Sequence, residues 1–285
     1  MQPSSIPQLV YLTIDGSVNP PLYRRYRQFV LGKRNPNGCP IRGTVFVTGV
    51  GSRPRLIKAL TNIGAEISLR GLHQHHYDTP EHLELEMRAQ IRAMKTLNVS
   101  SIGWKTPELK TLGNEQFKLL QKYGIKYDAT ILESVPKAGK PKQWPYTLDF
   151  AYKGDCTVPE CPTDKFPGIW ELPVNSLQDY KKMFECAYID GCMFSPPSQE
   201  STEDFLWDNF LENYNSNKAP FGIHLRQVWF SHPAYAQNLR GLVDFISKIL
   251  NINDVYIVSA SDVITWMENP VPTADITNAY PWNCA

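Results

Sequence analysis

The chain has 285 residues, of which 42% are hydrophobic, so it is long enough to bury a large core. Its 29 basic and 28 acidic residues leave a net charge of +1, which argues against nucleic acid as a partner. No apolar run approaches the roughly 20 residues that a membrane-spanning helix needs, so we expect no membrane insertion. We expect a monomer with a single domain over residues 1–285.

Apolar runs typical of strands recur along the chain, with helical stretches between most of them. The first run covers 9–14 and ends on Asp15 and Gly16. Asp-Gly is an ordinary turn pair, but a carboxylate at the C-terminal end of a buried strand can equally be functional. The further runs cover 43–48, 65–69, 101–105, 126–129, 169–173, 221–225 and 254–259. Eight strands that alternate with helices predict an α/β fold of the (β/α) barrel type.

The clearest helix follows Thr79, which can cap it, and Pro80, which suits the first helical position. One face of this helix carries an apolar stripe that we assign to the core: Leu83, Met87, Ile91 and Met94. The spacing also predicts helices over 113–124 and 233–250. Residues 134–168 have no clear period, and we interpret them as an insertion that carries a disulfide.

Six cysteines are present, at positions 39, 156, 161, 186, 192 and 284. Their even number and the two close pairs favour disulfides, whereas spacings of five and six residues do not match the CxxC knuckles of structural zinc sites. We predict the pairs Cys156–Cys161, Cys186–Cys192 and Cys39–Cys284. Asn98 begins an Asn-Val-Ser glycosylation triplet. Together these features favour a secreted, extracellular protein from which any leader has been removed, because the opening MQPSSIP lacks the regions of a signal peptide.

Several separated segments resemble, in order and spacing, the chitin deacetylase branch of the polysaccharide deacetylase family. They are TIDGSVNP, GTVFVTG, GAEISLRGLHQ, GWKTPELKTLGNEQFKLLQKYGIKYDAT, FPGIWELPVNS, NSNKAPFGIHLRQVWF and NDVYIVSASDVITWMENP. The insect-type members are the most similar, since they have a comparable CPI segment near Cys39. The resemblance implies a distorted (β/α) TIM-like barrel whose groove holds an N-acetylglucosamine polymer.

The resemblance also implies the chemistry of the family, which is hydrolysis of an acetamide by a metal-bound water. In active members one aspartate is the base, and a second aspartate with two histidines binds the metal. An arginine orients the base, and a late histidine protonates the leaving amine. Three protein ligands leave an open position for the water, whose pKa the metal lowers.

This chain departs from that pattern at nearly every catalytic position. The matching positions are Asp15 for the base, Gly16 for the second aspartate, Arg70 and Gln74 for the two histidines, Lys105 for the arginine and Arg226 for the late histidine. A guanidinium can neither ligate a divalent metal nor shuttle a proton near neutral pH. We therefore predict no catalytic residues, no metal and no other cofactor. Arg70, Lys105 and Arg226 should converge on the ionised Asp15 as their counter-ion, with Lys105 or Arg70 as its direct partner.

The favoured function is thus binding of chitin, or another glycan that contains N-acetylglucosamine, by an inactive deacetylase-like protein in an extracellular matrix. We predict glycan contacts from Asp15, Trp104, Lys105, Trp144 and Arg226. Trp170, Trp229 and Trp266 are assigned mainly to packing, and His224 and His232 to the core or surface. Two alternatives stay open: an active deacetylase with a relocated metal site built from His73, His75 and His76, and a structural or storage protein without a glycan ligand.

Overall fold

The computed structural model describes residues 2–135, 141–279 and 281–284. The strands are β1 (Gln8–Gly16), β2 (Thr44–Val47), β3 (Glu66–Leu69), β4 (Gly103–Trp104), β5 (Tyr127–Asp128), β6 (Leu132–Glu133), β7 (Tyr146–Thr147), β8 (Trp170–Glu171), β9 (Val174–Asn175), β10 (Leu177–Gln178), β11 (Glu185–Cys186), β12 (Phe221–Arg226) and β13 (Val255–Val258). The helices are α1 (Pro20–Val30), α2 (Pro54–Asn62), α3 (Pro80–Thr96), α4 (Gly113–Lys122), α5 (Gln199–Tyr214), α6 (Val228–Ser231), α7 (Asn238–Ile249) and α8 (Ala260–Glu268).

The main sheet is curled and has the strand order β12-β1-β2-β3-β4-β5-β8-β7, and β13 also pairs with β1. Neighbouring strands are parallel, except that β7 is antiparallel to β8. Each of the eight predicted apolar runs overlaps one of these strands. The predicted α/β fold, a distorted (β/α) barrel, is confirmed.

Strand β1 is central, and all nine of its residues are buried because strands flank it on both sides. Its side chains alternate between two layers of the core. Leu12 and Ile14 pack in the outer layer with the helices, whereas Tyr11 packs in the inner layer of the barrel. Thr13 and Asp15 share the inner face with Tyr11, so the carboxylate lies inside the curl at the C-terminal end of the strands.

Helix α3 begins as predicted, because the Thr79 hydroxyl accepts a hydrogen bond of 3.2 Å from the backbone N–H of His82. The predicted stripe faces the core: Leu83, Met87 and Met94 are buried, and Ile91 packs beside them. The predicted helix over 233–250 is wrong at its start. A 3₁₀ turn covers Pro233–Tyr235, and α7 begins at Asn238, whose side chain donates to the Trp229 carbonyl.

The three predicted disulfides, Cys39–Cys284, Cys156–Cys161 and Cys186–Cys192, are confirmed. The third closes a short loop that follows the hairpin of β10 and β11 and contains a 3₁₀ turn at Ile189–Gly191. Within the insertion, β7 extends the sheet, and residues 136–140 lie outside the described residues. Among the described residues, no helix is long and apolar enough to cross a bilayer.

Candidate functional site

Asp15 is 3% exposed and lies at the C-terminal end of β1. Two buried cations contact it: Arg70 Nε is 3.3 Å from Oδ2, and Lys105 Nζ is 3.4 Å from Oδ1. The Tyr188 hydroxyl donates a third contact, a hydrogen bond of 2.5 Å to Oδ2. The prediction that Asp15 is paired with Arg70 or Lys105 is confirmed, and it is paired with both.

Lys105, which contacts Asp15, is fully buried. Its ammonium group lies over the rings of Phe46 and Tyr188, at 5.1 and 4.8 Å from their centroids. Burial lowers the pKa of Lys105 to about 8, although the negative charge of Asp15 opposes this shift. The side chain therefore stays mostly protonated at neutral pH and balances part of the charge of the carboxylate.

His224 is a member of this site that the sequence analysis did not place there. It is buried on β12 beside Thr13 of β1, with 2.8 Å between Nδ1 and the Thr13 hydroxyl, and Lys105 Nζ is 3.4 Å from the same nitrogen. Burial and the charge of Lys105 lower the pKa of His224 well below its usual range, so the imidazole is neutral. The alternation of side chains along a strand could have placed His224 in this site, because residues two apart, such as His224 and Arg226, face the same side.

Arg226 does not contact Asp15 as predicted, although the two are register partners on neighbouring strands. Its Nε donates to Asp190 at 2.7 Å, and its backbone N–H donates to the same carboxylate at 3.2 Å. The guanidinium lies 5.0 Å from the ring centroid of Tyr188. The loop closed by the Cys186–Cys192 disulfide thus supplies a separate counter-ion, Asp190, which explains why Arg226 turns away from Asp15.

A cavity of about 700 Å³ opens at this end of the barrel. Six of the positions named from the sequence contribute to its lining: Asp15, Gly16, Arg70, Gln74, Arg226 and His232. Thr48, Asp190 and Gln227 add further polar groups to the lining. Tyr188 and Asp190 carry no motif that could have identified them, since they reach the site only through the path of the hairpin.

Trp104 cannot make its predicted stacking contact with a glycan, whereas the predicted glycan contact of Trp144 stays a prediction. Trp104 is fully buried in the outer core layer, because side chains alternate along a strand and its neighbour Lys105 faces inward. Trp144 is half-buried and stacks on Trp266 of α8, with 6.0 Å between ring centroids, and it is not part of the cavity lining. The packing roles predicted for Trp229 and Trp266 are confirmed, since both are buried, and Trp170 packs partly buried against the core.

The sequence is similar to insect chitin deacetylases over nearly its whole length. It is 35% identical to chitin deacetylase 8 of Bombyx mori over 283 residues, which cover 93% of this chain and 72% of the relative. The chain belongs to the polysaccharide deacetylase family, in its insect chitin deacetylase-like branch. It is also 30% identical to chitin deacetylase 1 of Bombyx mori, over 97% of this chain but only 54% of that relative. No protein-family model matches the sequence.

Solved structures agree with this family at the level of the fold. The probable polysaccharide deacetylase of Pseudomonas aeruginosa PAO1 superposes with a TM-score of 0.63 at 14% identity, over 93% of this chain and 92% of that chain. Puue allantoinase superposes with a TM-score of 0.61, also at 14% identity, over the same shares of the two chains. At these identities the likeness establishes the fold alone.

The residues of this chain do not fit the metal that the family implies. Arg70 and Gln74 stand where the family has its two metal-binding histidines, and the guanidinium of Arg70, 3.3 Å from Asp15, would repel a divalent cation. Gly16, which replaces the second aspartate of the family, has a φ of +145°, a conformation that other residues rarely adopt. These side chains therefore do not form the set of ligands that would hold a metal-bound water.

The loop of His73, His75 and His76 does not provide a substitute metal site. His73 Nδ1 contacts Glu86, His75 stacks on His73 at 5.3 Å between ring centroids, and His76 Nδ1 lies 2.8 Å from Glu108. The three imidazoles thus have different partners rather than one common point. Within residues 2–135, 141–279 and 281–284, no three His, Cys, Asp or Glu side chains are grouped to hold a metal ion.

Proposed function

We propose that this protein is a catalytically inactive chitin deacetylase-like protein that binds chitin, or a related N-acetylglucosamine-containing glycan, in an extracellular matrix. One observation carries the proposal: Asp15, at the position of the family's base, is bonded to Arg70, Lys105 and Tyr188. A general base must be free to accept a proton from the attacking water. Here both carboxylate oxygens already accept charged or phenolic donors.

The positions of the other catalytic groups support inactivity as well. Deacetylation needs an acid that can give a proton to the leaving amine near neutral pH. Arg226, at the place of that acid, keeps its proton at any accessible pH. His224, two residues before Arg226 on the same strand, is buried and neutral, and its Nδ1 is engaged by Thr13 and Lys105.

The cavity supports retention of a binding function. A volume of about 700 Å³ is within the range of small-molecule sites, and the lining mixes polar groups such as Gln74 with apolar ones such as Val228. Binding that relies on hydrogen bonds without a metal should be insensitive to chelators. The three disulfides support an oxidising, extracellular setting.

Asn98 offers a direct test of secretion. It follows α3, is exposed, and begins an Asn-Val-Ser triplet, so a glycan there would not disturb packing. We expect intact mass measurement of the protein from insect cells with a secretion leader to show one glycan, which Asn98→Gln removes. A non-glycosylated protein retained inside such cells would contradict the extracellular assignment.

Two measurements on the same preparation test the proposed function. Chitooligosaccharides should release no acetate with added zinc or cobalt, while a metal-containing chitin deacetylase assayed in parallel does. Chitin beads should retain the protein in the presence of a chelator. Gln74→Ala should weaken retention, whereas Gln28→Ala, at an exposed glutamine of α1 outside the cavity, should not.

The outcomes separate the alternatives. Metal-dependent acetate release that Asp15→Asn abolishes would establish an active deacetylase with a rearranged site. Absence of both acetate release and glycan binding would instead favour a structural or storage protein. Equal retention of the wild type and Gln74→Ala would place the glycan site outside the cavity.

A further inference from the structure

We propose that the cavity binds an acidic sugar unit, whose carboxylate or sulfate oxygens are held by Arg70 and Arg226. The inference rests on the proposed glycan-binding function and names the chemical class of its ligand. It goes beyond neutral chitin, which offers only hydroxyl and acetamide groups.

The charges around the cavity do not cancel. Three cationic side chains, Arg70, Lys105 and Arg226, face two carboxylates, Asp15 and Asp190. Asp15 is shared by two of the cations, and Asp190 is paired with the third. An excess positive charge in a partly shielded cleft attracts anions more strongly than it would in open water.

Two buried polar groups of the lining have no hydrogen-bond partner. Arg70 is 6% exposed, and its Nη1 is unpartnered although its Nε contacts Asp15. Thr48 is 1% exposed, and its hydroxyl is unpartnered as well. A buried donor without a partner carries a free-energy penalty that a ligand oxygen would remove. Both residues line the cavity, so these donors lie at its wall.

Arg226 supplies the exposed half of the proposed anion site. Its side chain is 47% exposed, while its Nε is bonded to Asp190 and its plane lies over Tyr188. These contacts fix the guanidinium before a ligand arrives, which lowers the entropy cost of binding. A planar guanidinium matches the two oxygens of a carboxylate or sulfate, so Arg70 and Arg226 together favour an oxyanion over a neutral hydroxyl.

Hexasaccharides of three kinds test the inference: neutral chitohexaose, a carboxylated hexagalacturonate and a sulfated heparin hexasaccharide. We expect titration calorimetry to give at least one acidic hexamer about tenfold tighter binding than chitohexaose. The two acidic arms distinguish a carboxylate ligand from a sulfate ligand. Sodium sulfate should displace the preferred hexamer more strongly than sodium chloride at equal ionic strength.

Matched variants separate site binding from general charge attraction. Arg226→Gln should lose most of the acidic preference, about fivefold or more, with less than about twofold change for chitohexaose. Arg70→Lys keeps a cation beside Asp15 but deletes the unpartnered Nη1. It should also reduce the preference for acidic hexamers. Arg92→Gln removes an exposed arginine of α3 outside the cavity and should change neither affinity. Thermal melts of each variant identify any loss that is due to unfolding.

Equal or tighter binding of chitohexaose would overturn the inference and leave the proposed function intact. The inference also fails if Arg92→Gln weakens acidic binding as much as Arg226→Gln. A different result would be acetate release from chitin together with a preference for acidic hexamers that depends on Arg226. It would overturn the proposed inactivity and support the anion site.

Discussion

The Tyr188 hydroxyl donates a hydrogen bond of 2.5 Å to the Asp15 carboxylate, although 173 residues separate the two. Tyr188 lies in the segment that the Cys186–Cys192 disulfide closes, and its ring also packs under Lys105 and Arg226. Burial and the nearby negative charge of Asp15 raise the pKa of Tyr188 well above its usual range, so the phenol remains a donor. A loop thus covers the carboxylate at the position where the family has its base.

Asp15→Ala should destabilise the protein strongly, because it leaves Arg70 and Lys105 buried without their counter-ion. Both cationic side chains are at most 7% exposed. Breaking such a pair costs on the order of 3 to 5 kcal/mol of unfolding free energy. Urea denaturation at neutral pH measures the loss.

Asp208→Ala is the control for this change. Asp208 forms an ion pair of 2.8 Å with Lys182, but both side chains are about half exposed. Exposed pairs contribute about 1 kcal/mol or less. Equal losses for the two variants would show that Asp15 is only a turn residue after a strand.

The sequence could predict the strands and the pairing of Asp15 for different reasons. Buried parallel strands have continuous apolar runs, so their positions are visible without any knowledge of the fold. The pairing with Arg70 and Lys105 followed from the positions these residues hold in the family, since the ends of parallel strands meet at one edge. The same strand period could have excluded Trp104 from the groove, since it must face away from its neighbour Lys105.

Other parts of the site could not be read from the sequence. Asp190 contacts Arg226 across 36 residues, through a 3₁₀ turn that follows an irregular hairpin. No periodicity or motif encodes the path of such a loop, because it depends on a disulfide and on tertiary contacts. The convergence of the three cations on Asp15 was therefore predicted only in part, with Arg226 assigned to the wrong carboxylate.

Glu171→Gln should make stability less sensitive to pH. Asp128 and Glu171 are buried neighbours on β5 and β8 and share a hydrogen bond. Burial raises the pKa of Asp128 from 3.8 to about 6, and burial with the neighbouring Asp128 raises the pKa of Glu171 well above its usual range. The folded state therefore binds more protons than the unfolded chain. The stability that these extra protons contribute is fully present at low pH and is lost as the pH rises from 3.8 through about 6 and above.

Denaturation at pH 5 and at pH 8 checks this prediction. Each pH unit over which the folded state holds one extra proton costs about 1.4 kcal/mol, so the wild type should lose more stability than Glu171→Gln. Glu81→Gln, at an exposed position in the first turn of α3, should follow the wild type. Parallel pH profiles of wild type and Glu171→Gln would mean that the pair does not hold a proton in the folded state.

The long-range disulfide Cys39–Cys284 should contribute more stability than a local one. Cys39 and Cys284 are 245 residues apart, whereas Cys156 and Cys161 are five apart. Loop-closure entropy predicts about 5 kcal/mol for the long loop and about 2 kcal/mol for the short one. Melting of the paired serine variants, Cys39→Ser with Cys284→Ser and Cys156→Ser with Cys161→Ser, measures the difference. A larger loss from the short loop would refute the entropic ranking.

Gly16→Asp would return the aspartate pair of the family, yet it should not restore a metal site. The φ of +145° at Gly16 is strained for an aspartate, at a cost on the order of 1 to 3 kcal/mol. Gly168→Asp is the control, since Gly168 also has a positive φ of 84° with open space for a side chain, and it does not line the cavity. Both variants should melt below the wild type.

Melting in the presence of zinc distinguishes a variant that is only strained from one that has regained a metal site. Arg70 and Gln74 would still replace the two metal-binding histidines in Gly16→Asp, and the guanidinium of Arg70, 3.3 Å from Asp15, opposes the entry of a divalent cation. We therefore expect zinc to leave the melting temperatures of Gly16→Asp, Gly168→Asp and the wild type unchanged. A zinc-dependent rise in Gly16→Asp alone would show that one substitution separates this chain from a metal-binding deacetylase. The buried cations would then be compatible with a bound metal, and the missing aspartate alone would explain why the metal site is lost.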